Sequence, residues 1–169
     1  MKPGDTLGKT VFGRYLTDFS WASSRMEGNT YTLLETRDMA LFGVEAPGKS
    51  ALESAMVKNH IRAIEYLVDN ARSIEISPFE VRGFHALLSR GIVGNCENEG
   101  RVRRSVVEIG QSAYRPASSP HTLEDGLESI CRTASRIGDP YEQSLYLLAN
   151  LSYLQPFVDV NKRTARVFS

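Results

Sequence analysis

Cysteine, histidine and tryptophan are scarce in this chain. Its 169 residues include 2 cysteines, 3 histidines and 1 tryptophan. Cys96 and Cys131 lack the close spacing of metal-binding cysteines and the histidines are scattered, so the sequence does not predict a zinc site. We also expect no disulfide, because we expect a cytoplasmic protein, in which thiols stay reduced.

Net charge and long apolar runs are absent as well. Lys and Arg number 20 and Asp and Glu number 20, so the formal net charge is zero. This balance argues against a strongly basic nucleic-acid-binding protein. No apolar run approaches the roughly 20 residues that cross a bilayer, and the first residues lack the apolar core of a signal peptide. We therefore expect a cytoplasmic protein, of a length typical of one domain, that binds neither nucleic acid nor membrane.

Apolar residues at three- and four-residue steps predict a mainly α-helical fold. Four helices are predicted in this way, over 51–73, over 77–91, from about Thr122, and over 141–154. Ser50 and Ser77 are suitable N-caps for the first two. The helix over 141–154 is apolar on most sides, which predicts a central position in the core.

One segment has a different pattern. Glycines at positions 94, 100 and 110 surround the alternating run 103–109. Alternation bounded by glycines is typical of a strand or hairpin. We expect one small β-hairpin here.

The stretch from Gln155 to Arg166 has the composition of an anion-binding site. Pro156 ends the preceding helix, and Asp159 and Asn161 begin another. The new helix carries cations on its first turns, namely Lys162, Arg163 and Arg166. A helix N-terminus with such cations favours phosphate, and one carboxylate beside it could hold Mg²⁺. An N-cap followed by a solvated basic face explains the same residues equally well.

A second candidate for phosphate binding is the segment Gly43–Ser50, which fits G-x-x-x-x-G-K-[ST]. That pattern requires a buried strand before the loop, and residues 35–42 are too charged for one. The chain also lacks a series of βαβ units. We expect a surface loop that ends in a helix cap, and a P-loop NTPase is the alternative.

The stretch 155–166 resembles the signature of Fic-domain proteins, HPFxDGN-[G/K]-R-T-x-R. The matching residues are Pro156, Phe157, Asp159, Asn161, Lys162, Arg163, Thr164 and Arg166. Gln155 stands where the family has His, and Val160 where it has Gly. Residues 23–29 are similar to the inhibitory motif [S/T]-x-x-x-E-[G/N] of the same family, with Ser23 and Glu27 at its defined positions.

The resemblance implies a Fic-type helical fold with one small β-hairpin flap. It implies a single Fic-like domain over 1–169, with an inhibitory helix at about 15–28, a flap at about 101–114 and the signature loop at 155–166. Fic proteins usually continue for further helices after the signature. The resemblance therefore implies a chain truncated at its C-terminus, a fragment or a decayed copy, and it leaves these three open.

Fic domains usually move AMP from ATP onto a hydroxyl side chain of another protein. The resemblance thus implies ATP and Mg²⁺, with the metal at Asp159. The nucleotide phosphates would meet Asn161, Lys162, Arg163 and Arg166. The target protein would lie along the flap, at Val106, Val107 and Ile109. Formation of a homo-oligomer is left open.

The inhibitory motif implies auto-inhibition. Glu27 would pair with Arg166 and hold ATP in an unproductive pose, and Ser23 lies four residues earlier on the same helix. A solvated glutamate at a helix end is the simpler explanation of these residues.

The two departures from the signature decide the expected activity. In the family the His is the general base, whereas a glutamine amide accepts no proton near neutral pH. Loss of a general base typically costs ~10²–10⁴ in rate. A β-branched residue also resists the positive φ that glycine allows, so Val160 predicts either an altered loop or weaker phosphate binding.

We therefore expect a catalytically impaired relative of the protein adenylyltransferases. The alternative is an active adenylyltransferase in which Gln155 only orients the target hydroxyl and the base comes from substrate or water. His85 and His121 lie far from the loop in sequence, and we expect each to be structural or exposed.

Overall fold

The computed structural model describes residues 3–110 and 112–169, and within these ranges the chain forms helices and irregular segments. It divides into two compact units, Met1–Asp69 and Asn70–Ser169. The first contains α1 (Pro3–Met26), α2 (Leu33–Phe42) and α3 (Ala51–Asp69). The second contains α4 (Pro78–Ser89), a 3₁₀ turn (Cys96–Asn98), α5 (Pro120–Ala134), α6 (Pro140–Leu154) and α7 (Asn161–Phe168). The predicted mainly α-helical class is confirmed, and none of the described helices is both long and apolar enough to cross a membrane.

In the first unit α1, α2 and α3 pack against one another. Helix α1 runs from Pro3, well before the expected inhibitory segment, and ends at Met26. Gly28 follows with φ of +85°, a conformation that glycine adopts without a steric penalty. Ser23 is buried and Glu27 is half-buried at this helix end.

The beginning of α3 is organised by Glu53. Its Oε2 accepts from the N–H and the hydroxyl of Ser50 at 3.1 and 2.8 Å, and the Ser50 Oγ accepts from the Glu53 N–H, so Ser50 caps α3 as predicted. Its Oε1 accepts from the N–H and the hydroxyl of Thr30 at 3.0 and 2.6 Å. These hydrogen bonds, that of the Thr30 hydroxyl foremost, lower the pKa of Glu53 to about 2.

Helix α2, and not a strand, precedes the segment Gly43–Ser50. The Lys49 Nζ donates to the Thr30 carbonyl at 2.7 Å and lies 3.7 Å from the Glu35 carboxylate. The lysine that a P-loop would place on phosphate is thus bonded to the segment before α2 and lies near Glu35 of that helix. The P-loop alternative is wrong, and the segment is the largely exposed loop before a helix cap that we expected.

In the second unit α4 packs against α5 and α7, and α6 packs against α5 and α7. Helix α4 begins after the N-cap Ser77 with Pro78 in its first turn, and it ends before Gly91 with φ of +69°, all as predicted. Helix α5 begins at Pro120, two residues before the predicted Thr122. Its predicted apolar face is buried, with Leu123, Leu127, Ile130 and Cys131.

Two helix predictions need correction. Helix α3 ends at Asp69 and not at residue 73, because the N–H and the hydroxyl of Ser73 both donate to the Asn70 carbonyl and form a turn. Helix α6 packs against α5 and α7 but is not buried on most sides. Leu147 and Leu151 are its buried residues, and Tyr141, Leu145 and Tyr153 are exposed.

The predicted β-hairpin is also wrong within the described residues, because 101–110 and 112–114 contain no strand. The Arg103 N–H donates to the Pro156 carbonyl at 2.9 Å, so the first arm bonds to the signature loop and not to a second strand. The Arg103 guanidinium donates hydrogen bonds to the carbonyls of Ser105 and Ala117. A short two-stranded hairpin is marginally stable alone, and here its backbone groups have other partners. We keep the name flap for residues 101–114.

Candidate functional site

The signature loop, residues 155–166, begins at the end of α6. Gln155 has φ of 50° and ψ of 57°, the left-handed conformation that commonly ends a helix. Its backbone N–H donates to the Leu151 carbonyl at 3.2 Å. Its side-chain Nε2 donates to the Ser152 carbonyl at 2.6 Å, so the Gln155 carboxamide closes the end of its own helix.

Asn161 and Phe157 hold the middle of the loop. The Phe157 N–H donates to Asn161 Oδ1 at 2.9 Å, and Asn161 Nδ2 donates to the Phe157 carbonyl at 2.8 Å. Both polar groups of the Asn161 side chain are therefore engaged, and a ligand would meet its backbone N–H. The Phe157 ring is buried and stacks on the His85 ring, with 3.8 Å between centroids.

His85, on α4, fixes the other side of the loop. Its Nδ1 accepts from the Gly100 N–H at 2.9 Å, and its Nε2 donates to the Asp159 carbonyl at 3.1 Å. Burial lowers the pKa of His85 to about 4, and the positive charge of Arg163 adds to the lowering. The ring is neutral at pH 7 and both of its nitrogens are hydrogen-bonded, so neither is available to accept a proton. The structural role expected for His85 is confirmed, but nothing in the sequence signals its bond to the signature loop.

Asp159 and Val160 form the turn into α7. Asp159 is exposed, and its Oδ1 accepts from the Val160 N–H at 2.6 Å. Val160 has φ of 63° and ψ of 7°, the left-handed region that costs an L-residue about 1–2 kcal/mol. The loop thus keeps the backbone conformation that a glycine would adopt. The Val160 side chain is 2% exposed, so its methyl groups lie inside the protein and not at the surface of the turn.

The cations follow on α7. Lys162 is exposed, Arg166 is half-buried, and Arg163 is buried. Arg163 and Arg166 are three residues apart and so share one face of the helix. The N–H and the hydroxyl of Thr164 donate to the Val160 carbonyl at 2.9 Å each, which anchors the first turn. The first N–H groups of a helix have no partner within it, so this turn presents donors and positive charge together, as an anion requires.

Asp159 is the one carboxylate of the signature loop, residues 155–166. The described residues contain no group of three or more His, Cys, Asp or Glu side chains that would hold a metal by themselves. One exposed carboxylate instead fits Mg²⁺, which proteins often bind through one or two carboxylates and the phosphates of a substrate.

The remaining predicted residues lie on the flap and on α1. Val106 is exposed, and Val107 and Ile109 are half-buried, on the flap. Ser23 and Glu27 lie at the end of α1 in the first unit, and the signature loop belongs to the second. Sequence analysis missed Arg103 on the flap, a buried residue bonded to the signature loop.

Comparisons with known proteins agree with this geometry. The Fic/DOC family matches residues 75–169, more than half of the chain. Protein adenylyltransferase fic-1 of Caenorhabditis elegans is 30% identical over 150 residues, which cover 84% of this chain and 28% of that protein. Protein adenylyltransferase Fic of Nematostella vectensis is 30% identical over 155 residues, which cover 86% and 34%.

The fold comparison finds a solved structure with the same helical fold. The crystal structure of a Fic-domain-containing signaling protein from Bacteroides thetaiotaomicron superposes with a TM-score of 0.79 at 22% identity, over 99% of this chain and 64% of that one. The chain spans about a third or less of the length of the curated relatives it matches. The match over 75–169, the shared helical fold and the signature loop between α6 and α7 show that this chain belongs to the Fic/DOC family.

Proposed function

We propose that this chain binds ATP at the signature loop and carries a protein adenylyl-transfer site that is impaired in its proton-accepting step. One observation carries the proposal. The carboxamide of Gln155 stands where the family has its general-base His, and its Nε2 is bonded to the Ser152 carbonyl. A carboxamide does not take a proton from a hydroxyl near neutral pH.

The retained part of the loop supports nucleotide binding. The phosphates would lie against the first turn of α7, where backbone N–H groups and the charges of Lys162, Arg163 and Arg166 favour anions. The left-handed backbone of Val160 supports this, since a left-handed residue lets successive N–H groups converge on one anion. Asp159 would hold Mg²⁺, which when bound neutralises phosphate charge.

The flap would hold the target protein. Val106 is 71% exposed, and the described flap residues form no strand ladder among themselves. An extended target segment could therefore bond to this backbone as an added strand, beside Val107 and Ile109. The Arg103 N–H bond to the Pro156 carbonyl ties the flap next to Gln155, where the target hydroxyl must lie.

Glu27 would inhibit the site. It directly follows α1, within the motif that resembles the inhibitory motif of the family, and its carboxylate is chemically suited to pair with Arg166 and compete with the terminal phosphate. We place this activity in the cytoplasm, with a protein hydroxyl as acceptor and without nucleic acid or membrane.

The test combines ATP binding with transfer of labelled AMP in the presence of Mg²⁺ and lysate. Glu27→Gly removes the proposed inhibitor, and Glu45→Gly, on an exposed loop, is its matched control. In the Glu27→Gly background, Gln155→His with Val160→Gly restores the signature. We expect the unrestored chain to bind ATP but to label protein ~10²–10⁴-fold more slowly than the restored chain.

Three outcomes separate the alternatives. Equal labelling by the two chains would mean that the site is active without a histidine. Failure of both chains to bind ATP would refute the nucleotide site. If Glu27→Gly does not raise labelling by the restored chain, the inhibitory role of Glu27 is refuted.

A further inference from the structure

Arg103 is a buried charge among exposed ones. Its side chain is 1% exposed, whereas Arg101 and Arg104 on the same segment are exposed. Burial lowers the pKa of the Arg103 guanidinium, which nevertheless stays charged at neutral pH. A buried charge is costly unless its donors are bonded, so its partners indicate what it does.

Those partners are three carbonyls from three segments. Arg103 Nε donates to the Gln155 carbonyl at 2.8 Å. One terminal nitrogen donates to the Ser105 carbonyl at 2.7 Å and the other to the Ala117 carbonyl at 2.5 Å. With the backbone bond to Pro156, Arg103 joins the signature loop to the chain on either side of the flap tip.

The geometry of these bonds is specific to arginine. Ser105 and Ala117 stand before and after the flap residues Val106, Val107 and Ile109. A planar guanidinium holds its donors at fixed angles, so both ends of the segment are set relative to one carbonyl, that of Gln155. A lysine ammonium places its donors at a single point and cannot reach three separated carbonyls in this way.

We propose that Arg103 is a positioning residue that sets the flap relative to residue 155. In a working site it would thereby place the target hydroxyl at the reacting phosphate; this step alone rests on the proposed function. The position of the flap itself is a property of the chain with or without transfer activity.

The effect of losing Arg103 should be local. The returning arm of the flap has a second attachment, because the Tyr114 ring stacks on Tyr153 of α6 with 4.0 Å between centroids. The first arm keeps the backbone bond of residue 103 to Pro156. Between these attachments the segment would loosen while the helices stay folded.

Cleavage by a glutamate-specific protease tests the position of the flap without any ligand. Glu108 lies at the flap tip, and Glu124, exposed on α5, reports on the rest of the unit. In Arg103→Lys we expect cleavage after Glu108 about tenfold faster, because cleavage follows the population of the open form. Cleavage after Glu124 and the melting temperature should stay as in the unaltered chain. Arg104→Lys, an exposed neighbour, is the matched control and should change neither rate.

Two results would overturn the proposal. One is an unchanged rate at Glu108 in Arg103→Lys, and the other is equal acceleration at both sites, which would mean general unfolding. If the variant does not fold, NMR of the unaltered chain decides: we expect slow exchange of the Arg103 Nε–H, and exchange as fast as that of Arg104 would refute the bond to Gln155.

The consequence for transfer is measured in the restored chain. Adding Arg103→Lys should lower labelling of lysate protein by ~10²-fold, the order of effect of misplacing a reacting group, while the Kd for ATP stays unchanged. Loss of ATP affinity would refute a role confined to the flap. If the restored chain labels nothing, the proposed function fails, and the protease result still decides the role of Arg103.

Discussion

The neutral, doubly bonded His85 predicts how the stability of the chain depends on pH. Its Nδ1 must be unprotonated to accept from the Gly100 N–H, and its ring is buried against Phe157. Protonation would therefore break one hydrogen bond and place a charge in an apolar contact. The folded chain resists it, which is why the pKa of His85 falls from 6.5 to about 4.

The sign and size follow from linkage. Because the folded pKa lies below the unfolded one, the unfolded chain binds more protons between about pH 6.5 and 4, and stability rises with pH there. The contribution of His85 is complete above about pH 6.5 and is lost as the pH falls through this window. At about 1.4 kcal/mol per pKa unit, the loss from His85 approaches roughly 3 kcal/mol near pH 4.

The measurement is the free energy of unfolding in urea, followed by circular dichroism at several pH values. His85→Gln replaces the ring by a neutral side chain that cannot be protonated. The free energy of the unaltered chain minus that of the variant should fall by roughly 3 kcal/mol from pH 7 to pH 4. His121→Gln, at an exposed site, is the matched control for the loss of a histidine. A difference that stays constant with pH would refute the bonded, neutral state of His85.

Three further predictions concern stability. At position 160 the left-handed backbone should make Val160→Gly more stable than Val160→Ala by about 1–2 kcal/mol. In the exposed part of α6, by contrast, Ala149→Gly should cost about 1 kcal/mol. If urea unfolding showed alanine to be more stable than glycine at both sites, the left-handed conformation of Val160 would be contradicted. Gly100→Ala should destabilise the chain by more than Gly48→Ala. Both glycines have positive φ, but only at Gly100 would a methyl group meet a backbone oxygen, that of Arg82, at 3.0 Å. Equal melting temperatures of the two variants would exclude that close approach. The lowered pKa of Glu53 means that its stabilising contribution is present above pH 4.5 and is lost as the pH falls toward 2. In Glu53→Gln the free energy of unfolding should therefore depend less on pH in that range. An unchanged pH dependence would rule out the bonds of Glu53 to Thr30 and Ser50.

Local signals account for the parts of the fold that the sequence predicted. Ser50 and Ser77 cap helices because a serine hydroxyl bonds to backbone within three residues, and such pairs are visible in sequence. The buried face of α5 could also be predicted, because its apolar residues follow the helical period, which is visible in the sequence. The prediction for α6 was wrong, because apolar composition alone does not determine which side of a helix is covered by its neighbours.

The positioning residues could not be predicted in this way. His85 bonds to the carbonyl of Asp159, and Arg103 bonds to the carbonyl of Gln155, each more than fifty residues away in sequence. Backbone carbonyls are the same for every residue type, so no motif records these pairs. The hairpin prediction failed for a related reason, because the partner of the Arg103 N–H is Pro156 and not a second strand.

These long-range bonds hold the backbone of the signature loop from outside. Among the residues that the structure describes, two other than glycine have positive φ, namely Gln155 and Val160, and they flank the segment 156–159. Such conformations persist only where the surroundings hold them. The Arg103 guanidinium binds the carbonyl of Gln155, and His85 binds the carbonyl of Asp159, which belongs to the peptide unit leading into Val160. Each strained residue thus has a neighbouring peptide group fixed from outside the loop, so Arg103 and His85 help to hold the shape of the site.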